Sequence, residues 1–446
     1  MKKKILTLLI GVSVISALIA VPLMTACAPS GAPAAPGEPA APGEPAAPGE
    51  PAAPEAPKEP KTVNVGFLGA LTGPAAAWGL PGFYGMEIWV DEVNAAGGIQ
   101  AGGDTYLVEL FSYDDEWIAT KAATGAKKLV LEDNVSFLSQ TSGVVIDAPA
   151  PFLTEQKILV GLDLPQDVSP DRPYHVAASE FNPPSWLDAI RYLCENNPDA
   201  KTAAVIDPDE PLGYEFQAYA KAAFEAAGVE VVYAEYYSWE TIDFAPTVTA
   251  ILDTDPDIIS WGAVYPGNQI LMIEQAYLQG FEGPMIATTL DLLEDTITRT
   301  SKEFVEGYTL LFPFFDDPLL SEECHEFYAK YNNLYPGSWS AVSWMHANKL
   351  NWWKEAVEIA GTTDPTAVLK ALKAMPDVFH YFGRGTWGLE SLYGIDNVLT
   401  VPWPVVEIRD GKPVITAQTD FQGWYDQYGD ILIRHLEEGK FMWYQQ

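Results

Sequence analysis

Residues 62–98 read TVNVGFLGALTGPAAAWGLPGFYGMEIWVDEVNAAGG, and this stretch decides the fold class. It begins with a mostly apolar, β-branched run that is typical of a buried strand. A turn rich in glycine and proline follows, and then Pro81 starts a predicted helix that ends at Gly97-Gly98. A buried strand, a tight turn and an amphipathic helix together form the repeating unit of an α/β sheet.

The same alternation continues along the chain in two sets, separated by Pro183-Pro184. Strands that alternate with helices form parallel sheets covered on both faces, so the sequence predicts an α/β protein with two doubly wound lobes. Ligands of such sheets bind at the carboxyl ends of the strands. The predicted strands are 62–68, 106–113, 135–139 and 157–161 in the first set, and 202–206, 229–236, 257–261 and 284–288 in the second.

The start of the chain is of a different kind. Lys2 to Lys4 precede an apolar run from Ile5 to Ala20, and small residues then lead to Cys27. A basic flank before a short apolar run indicates a secretory signal. The cysteine resembles the acylated cysteine of bacterial lipoproteins. We expect a signal peptide over 1–26 and a lipid anchor on Cys27, with a single membrane anchor as the alternative.

Residues 27–61 form a predicted tether. Three copies of Gly-Glu-Pro-Ala-Ala-Pro run from Gly37 to Pro54 within a stretch rich in proline and alanine. Such a composition cannot form a core and favours extended polyproline II. At about 3.1 Å per residue it can hold a folded domain roughly 100 Å from its anchor.

The chain is strongly acidic. It has 61 aspartates and glutamates against 25 lysines and arginines, which gives a formal net charge of −36. A field of this sign repels phosphates, so we expect no nucleic-acid partner.

A search for catalytic and metal-binding motifs is negative. The histidines are scattered, with neither an HExxH motif nor a cluster with cysteines. Thr141-Ser142-Gly143 lacks the first glycine of a nucleophile elbow. Asp253 to Asp257 resembles the start of a calcium loop, but Ile258 stands where the loop needs glycine. The sequence therefore predicts neither an enzyme nor a cofactor or metal. Cys194 and Cys324 are predicted to be buried free thiols, with a disulfide as the alternative.

Several segments resemble the branched-chain amino acid binding proteins of ABC transporters, which are periplasmic binding proteins of type I. The resemblance extends from residue 62 to about 415, and its first block is the most distinctive. The segments that carry it are Val63–Pro74, Trp78-Gly79, Glu92–Ile99, Asp114-Asp115, Ala126–Val130, Ala226–Val231, Asp243-Phe244, Asp257–Ile259, Trp387 and Asp410–Lys412.

The resemblance implies two Rossmann-like lobes that close on a small solute and a membrane permease that receives it. We expect a monomer, located outside the cytoplasm and held at the cell membrane by the anchor. Three crossover segments are expected near 179–184, 308–316 and 398–406. The implied domains are 62–180 and 311–400 for the first lobe, and 181–310 and 401–446 for the second, the last with a C-terminal extension.

The resemblance also suggests an anchor for the solute. In this family a serine-glycine step at the start of a helix holds a ligand carboxylate, and Ser142-Gly143 matches it, with Thr141 beside it. A helix N-terminus supplies unpaired N–H groups and the positive end of a dipole. A plain helix cap is the alternative. Trp78 matches a family aromatic residue that lines the pocket, with a core tryptophan as the alternative.

Other positions depart from the family pattern and weaken the expectation of a standard α-amino acid. Residues 162–164 replace small residues and a threonine, and Thr289 stands where the family has an acidic partner for the ammonium group. An aromatic cage for a quaternary amine is a further interpretation, although packing accounts for most of the 14 tryptophans and 21 tyrosines. The remaining candidate ligand-binding residues are Leu162, Asp163, Leu164, Tyr214, Tyr265, Thr289 and Asp291.

The predicted solute is small and polar or aromatic, of the amino-acid or carboxylate type. Two other functions stay open at this point. The same two-lobed body could report a ligand to a sensor instead of a permease. A secreted hydrolase would need a spaced pair of carboxylates in the cleft.

Overall fold

The computed structural model describes residues 58–73, 75–177 and 183–445. The predicted signal peptide, Cys27 and nearly all of the predicted tether lie outside the described residues, as does most of the first predicted crossover. Among the described residues, none of the helices combines the length and the apolar character needed to cross a bilayer.

The strands fall into the two sets that the sequence predicts. They are β1 (Lys61–Gly69), β2 (Ile99–Ala101), β3 (Asp104–Asp114), β4 (Phe137–Gln140), β5 (Leu159–Leu162), β6 (His175–Ala177), β7 (Thr202–Pro208), β8 (Glu230–Tyr237), β9 (Ile258–Ser260), β10 (Met285–Ile286), β11 (Thr309–Leu310), β12 (Val378–His380), β13 (Gly383–Gly388), β14 (Val398–Thr400), β15 (Pro404–Arg409) and β16 (Lys412–Gln418).

Helices connect most of the parallel strands. They are α1 (Ala76–Ala95), α2 (Ala119–Leu131), α3 (Ala150–Glu155), α4 (Pro183–Asn196), α5 (Pro211–Ala226), α6 (Ala245–Leu252), α7 (Pro266–Leu278), α8 (Leu293–Arg299), α9 (Glu322–Leu334), α10 (Met345–Ala360), α11 (Pro365–Ala374), α12 (Glu390–Tyr393) and α13 (Phe421–Gly439), with a short 3₁₀ helix at Pro165–Asp167.

Two separate sheets form the α/β architecture. The first has the order β12-β13-β14-β6-β5-β4-β1-β3-β2, and the second has the order β16-β15-β11-β10-β9-β7-β8. The central strands of both sheets are parallel, and antiparallel pairs occur only toward the edges of the described sheets. The prediction of a two-sheet α/β fold is confirmed.

The chain passes between the sheets after β11 and again after β14. Strand β11 belongs to the second sheet and β12 to the first, while β14 belongs to the first sheet and β15 to the second. The two connecting segments contact each other, because the indole Nε1 of buried Trp403 donates a hydrogen bond of 2.5 Å to the carbonyl of Leu311.

Strand β1 shows why the sequence forms a central strand. Val63, Val65, Phe67 and Leu68 are buried. At Gly66 a Cβ atom would lie 2.9 Å from the Leu138 Cδ1 on β4, so a larger residue here would require the Leu138 side chain to shift.

Two expectations were wrong in detail. Helix α1 starts at Ala76 and contains Pro81, because a proline near the helix start removes only one backbone hydrogen bond. Residues 142–149 form turns rather than a helix, and α3 starts at Ala150. Cys194 and Cys324 are buried and free, which confirms the thiol prediction.

Candidate functional site

A cavity of about 500 Å³ lies where the carboxyl ends of strands from both sheets meet. Loops after β1, β3, β4 and β5 line one side, loops after β7, β9 and β10 line the other, and a segment just before α10 completes it. This is the position at which open α/β sheets bind ligands. The lining residues are Ala77, Trp78, Trp117, Thr141–Val144, Asp147, Asp163, Leu164, Gln166, Asp167, Glu210–Leu212, Ala263–Pro266, Thr288, Thr289, Asp291, Leu292, Gly337 and Trp339–Val342.

Most of the candidate residues from the sequence line this cavity, and two do not. Leu162 is fully buried at the end of β5. Tyr214 is absent from the lining, and its hydroxyl donates a hydrogen bond of 2.7 Å to Asp209. The candidates on the lining are Trp78, Thr141, Ser142, Gly143, Asp163, Leu164, Tyr265, Thr289 and Asp291.

The Ser142-Gly143 step is occupied by groups of the protein itself. The Ser142 Oγ accepts hydrogen bonds of 2.8 Å from the N–H groups of both Asp163 and Leu164. The Gly143 N–H donates a hydrogen bond of 2.9 Å to the carboxylate of Asp167. Glycine is needed here because φ is +90° and a Cβ atom would lie 3.3 Å from the Trp117 ring. An internal carboxylate thus sits where the resemblance places a ligand carboxylate.

Burial raises the pKa of Asp167 to about 7, although hydrogen bonds from Gly143 and the Ser142 hydroxyl act in the opposite direction. Arg172 also lowers this pKa, but its guanidinium pairs with Asp147 at 2.6 Å and reaches only the backbone carbonyl of Asp167. Burial therefore dominates at Asp167.

Aromatic rings form one wall and join the two sides of the cavity. Trp78, after β1, lies 5.7 Å from Trp117 and 4.7 Å from Tyr265, measured between ring centroids. Tyr265 follows β9 of the other sheet, so the second contact bridges the sides. Its hydroxyl donates a hydrogen bond of 2.9 Å to Glu210.

Trp117 is held in place by a strained turn. Glu116 and Trp117 both have positive φ, at 51° and 61°, which is unusual for residues other than glycine. The buried Asp115 carboxylate accepts the Trp117 N–H at 2.8 Å and stabilises the turn. Strain of this kind is concentrated at binding sites.

Asp163 differs from the other carboxylates on the lining. It forms an ion pair with Lys349, whose side chain is completely buried behind the cavity. His346 contacts Lys349 at 3.4 Å and Ser139 at 2.7 Å through Nδ1. Burial and the neighbouring lysine lower the pKa of His346 to about 3, so the histidine is neutral. Asp163, which the sequence analysis gives as a candidate ligand-binding residue, is thus also part of this buried network.

On the second side, Glu210 and Asp291 have neutral hydrogen-bond partners. Burial raises the pKa of Glu210 against the opposing hydrogen bond from Tyr265. Asp291 is exposed to the cavity, and desolvation by the surrounding wall raises its pKa against hydrogen bonds from the Thr289 side chain and from the Ala341 N–H at 3.4 Å.

Sequence reasoning missed part of the lining. Trp117, Asp147, Gln166, Asp167 and Glu210 follow strands, and the rule that sites lie at strand ends would have included them. No pattern in the sequence marked the segment 337–342, which reaches the cavity from a later part of the chain. Within the described residues, no group of three or more His, Cys, Asp or Glu side chains is arranged to hold a metal ion.

The fold and the cavity together define a type I periplasmic binding protein. A family model described as periplasmic binding protein matches residues 62–413. The chain belongs to this family, and its relatives include Leu/Ile/Val-binding proteins.

Two relatives and one solved structure show how distant these similarities are. The chain is 27% identical over 216 residues to the Leu/Ile/Val-binding protein BraC3 of Rhizobium johnstonii, covering 47% of this chain and 56% of that protein. It is 25% identical to the Leu/Ile/Val-binding protein homolog 1 of Brucella melitensis, covering 70% of this chain and 82% of that protein. The fold matches the structure of LivJ of Streptococcus pneumoniae in complex with isoleucine, with a TM-score of 0.64 and 19% identity. The match covers 80% of this chain and 100% of that chain.

Proposed function

We propose that this protein is the extracytoplasmic solute-binding component of an ABC importer and that its solute binds in the cavity between the two sheets. The observation that carries the proposal is the shared lining, because loops from both sheets contribute to one space of about 500 Å³. A space of this size suits a small molecule rather than a polymer.

The same geometry supports a closing mechanism. A solute that contacts both sides favours the closed arrangement by its differential contacts, and the contact between Trp78 and Tyr265 already spans the two sides. We propose 62–180 with 311–400 and 181–310 with 401–446 as the two lobes, because the described strands within each pair of ranges belong to a single sheet. The permease then recognises the closed form.

The cavity favours a solute with an apolar or aromatic body, for which Trp78, Trp117 and Tyr265 provide the wall. The names of the relatives add leucine, isoleucine and valine to the solutes to be tested. The proposed lipid anchor on Cys27 would keep the protein at the membrane, and the tether would let it reach the permease. The role requires binding without catalysis, so the solute should be released unchanged.

A thermal-shift screen tests the proposal. The purified protein is heated with amino acids, amines, amides and aliphatic or aromatic carboxylates, and a solute that binds only the folded state raises the melting temperature. A solute that binds should then be taken up by cells that carry the gene and not by cells that lack it, and mass spectrometry should recover it unchanged. Binding without uptake would favour a sensor, and chemical conversion would favour an enzyme.

Trp78→Ala is the matching variant. We expect it to weaken solute binding about 30-fold, because a central aromatic contact is worth about 2 kcal/mol. Trp239→Ala is the control, since Trp239 is 54% exposed and does not line the cavity. Equal solute affinities of the two variants would show that the solute does not bind in this cavity.

A further inference from the structure

The charged groups on the cavity wall all have the same sign. Five carboxylates line the cavity, and no lysine, arginine or histidine occurs among the lining residues that the structure describes. The whole chain adds to this field with its net charge of −36. The five are Asp147, Asp163, Asp167, Glu210 and Asp291.

Two of the five are neutralised by the protein. Asp163 pairs with buried Lys349, and Asp147 pairs with Arg172 at 2.6 Å. These two carboxylates already have a cation and do not require one from the solute.

The other three have only neutral hydrogen-bond donors in the described part of the chain. Asp167 accepts from Gly143, Glu210 from Tyr265, and Asp291 from Ala341. Asp167 and Glu210 are partly buried, and Asp291 is exposed at the cavity wall. A partly buried carboxylate without a cationic partner is unfavourable, and a bound cation would relieve that cost. They lie on both sides of the cavity, since Asp167 follows β5 and the other two follow strands of the second sheet.

A ligand carboxylate, by contrast, has no donor at the Ser142-Gly143 step. The Gly143 N–H and the Ser142 hydroxyl both point to Asp167. An incoming anion would have to displace that side chain and then remain beside like charges, which repel each other strongly away from water. The Ser142-Gly143 step therefore disfavours the binding of a ligand carboxylate in this chain.

We propose that the solute is an organic cation with an apolar body and without a free carboxylate. This inference rests on the function proposed above and names its substrate class. The cationic group lies among Asp167, Glu210 and Asp291, and the body lies against Trp78 and Tyr265. Aromatic rings add to the attraction because their faces favour cations.

The test compares molecules that share the same apolar body and differ in their charged groups. One set is 2-phenylethylamine, phenylalanine and 3-phenylpropanoate, and a second is isopentylamine, leucine and 4-methylpentanoate. Benzyltrimethylammonium, benzamidine and spermidine extend the range of cations. Calorimetric titration of the full protein should give at least one cation that binds. Where an amine binds, its affinity should exceed that of the matched amino acid by about tenfold or more, and the acids should not bind.

The outcomes separate this inference from the proposed function. A bound cation that excludes its zwitterionic and anionic counterparts supports both. An amino acid or a carboxylate that binds more tightly than every cation overturns the inference and leaves the solute-binding role intact. Failure of every molecule in all three charge classes counts against both proposals.

Variants of the three carboxylates locate the cation. Glu210→Gln and Asp291→Asn should each lower cation affinity about tenfold, because each removes a charge-assisted contact. Asp209→Asn is the control for Glu210→Gln, since Asp209 is exposed and contacts Tyr214 outside the cavity. An equal loss in the control would mean that only the overall field matters, and would overturn the assigned position.

Replacing Asp167 tests the proposal through an expected gain in affinity rather than a loss. Asp167→Ala removes the internal carboxylate and makes the Gly143 N–H and the Ser142 hydroxyl available, so the matched amino acid should gain about tenfold in affinity relative to the amine. Asp167→Asn keeps an acceptor for Gly143 and should lose cation affinity without that gain. Unchanged preference in both variants would contradict the role given to Asp167.

Discussion

Asp163 and Asp167 lie four residues apart after the same strand, yet their surroundings differ. Asp163 is paired with buried Lys349, next to neutral His346. Asp167 has the N–H of Gly143 and the hydroxyl of Ser142, and Arg172 reaches only its backbone. The comparison separates a carboxylate that the fold has paired with a cation from one that has no cationic side chain bonded to it. The first belongs to the architecture, and the second is available to a solute.

Removing the lysine from the Asp163 pair should have the largest effect. Lys349→Met leaves a carboxylate next to the cavity without its cation, and we expect the free energy of unfolding to fall by about 3–5 kcal/mol. Denaturant titration measures the loss. Lys354→Met on the same helix is the control, because its pair with Glu358 at 2.8 Å is partly exposed and should be worth less than about 1 kcal/mol. Similar losses of free energy of unfolding in both variants would contradict the distinction drawn between Asp163 and Asp167.

Replacing Asp167 should change how stability depends on pH. Its pKa of about 7 in the folded protein lies above the value of about 3.9 in an unfolded chain. Between these values the folded state holds the proton and the unfolded state does not, so stability falls as pH rises from about 4 to about 7. Asp167→Asn removes this slope. Relative to the wild type, the free energy of unfolding of the variant should therefore increase by about 1–2 kcal/mol as the pH rises from about 5 to about 8.

Thermal melts across this pH range test the Asp167 prediction. Comparing wild type with variant cancels the titration of shared groups that do not interact with Asp167. The charge of Asp167 raises the pKa of Glu215, so the measured difference includes this coupling. A difference in melting temperature that stays constant with pH would show that Asp167 is paired in the way that Asp163 is.

The smallest effect is expected at Asp147. Its side chain is 87% exposed although it pairs with Arg172 at 2.6 Å. Water screens such a pair, so Asp147→Asn should change the free energy of unfolding by less than about 0.5 kcal/mol. Denaturant titration in low and high salt measures it. A loss comparable to that of Lys349→Met would place Asp147 with Asp163 rather than at an exposed rim.

Local patterns were enough to predict eight of the sixteen described strands and their division into two sets. The run predicted at 62–68 is β1, which is one residue longer at each end, and the run predicted at 106–113 lies within β3. The strand-end rule also indicated the correct region for the cavity. These features depend on neighbours a few residues apart, which is the range over which periodicity carries information.

The charge pattern of the cavity could not be read in the same way. Lys349 is 186 residues from Asp163, and Asp167 is 24 residues from Gly143. Which carboxylate gains a cation is decided by packing between distant segments. The C-terminal residues, to which no structure could be assigned from sequence, form α13, which packs on α4 and α5.

The turn at Glu116 and Trp117 has a consequence for evolution and engineering. Two successive left-handed residues cost about 1 kcal/mol each, and a glycine at 116 would remove one of these costs. That glycine would also loosen the backbone that holds the Trp117 ring against Trp78. A glycine at 116 is therefore expected to change thermal stability and solute affinity in opposite directions, as trade-offs between stability and function do.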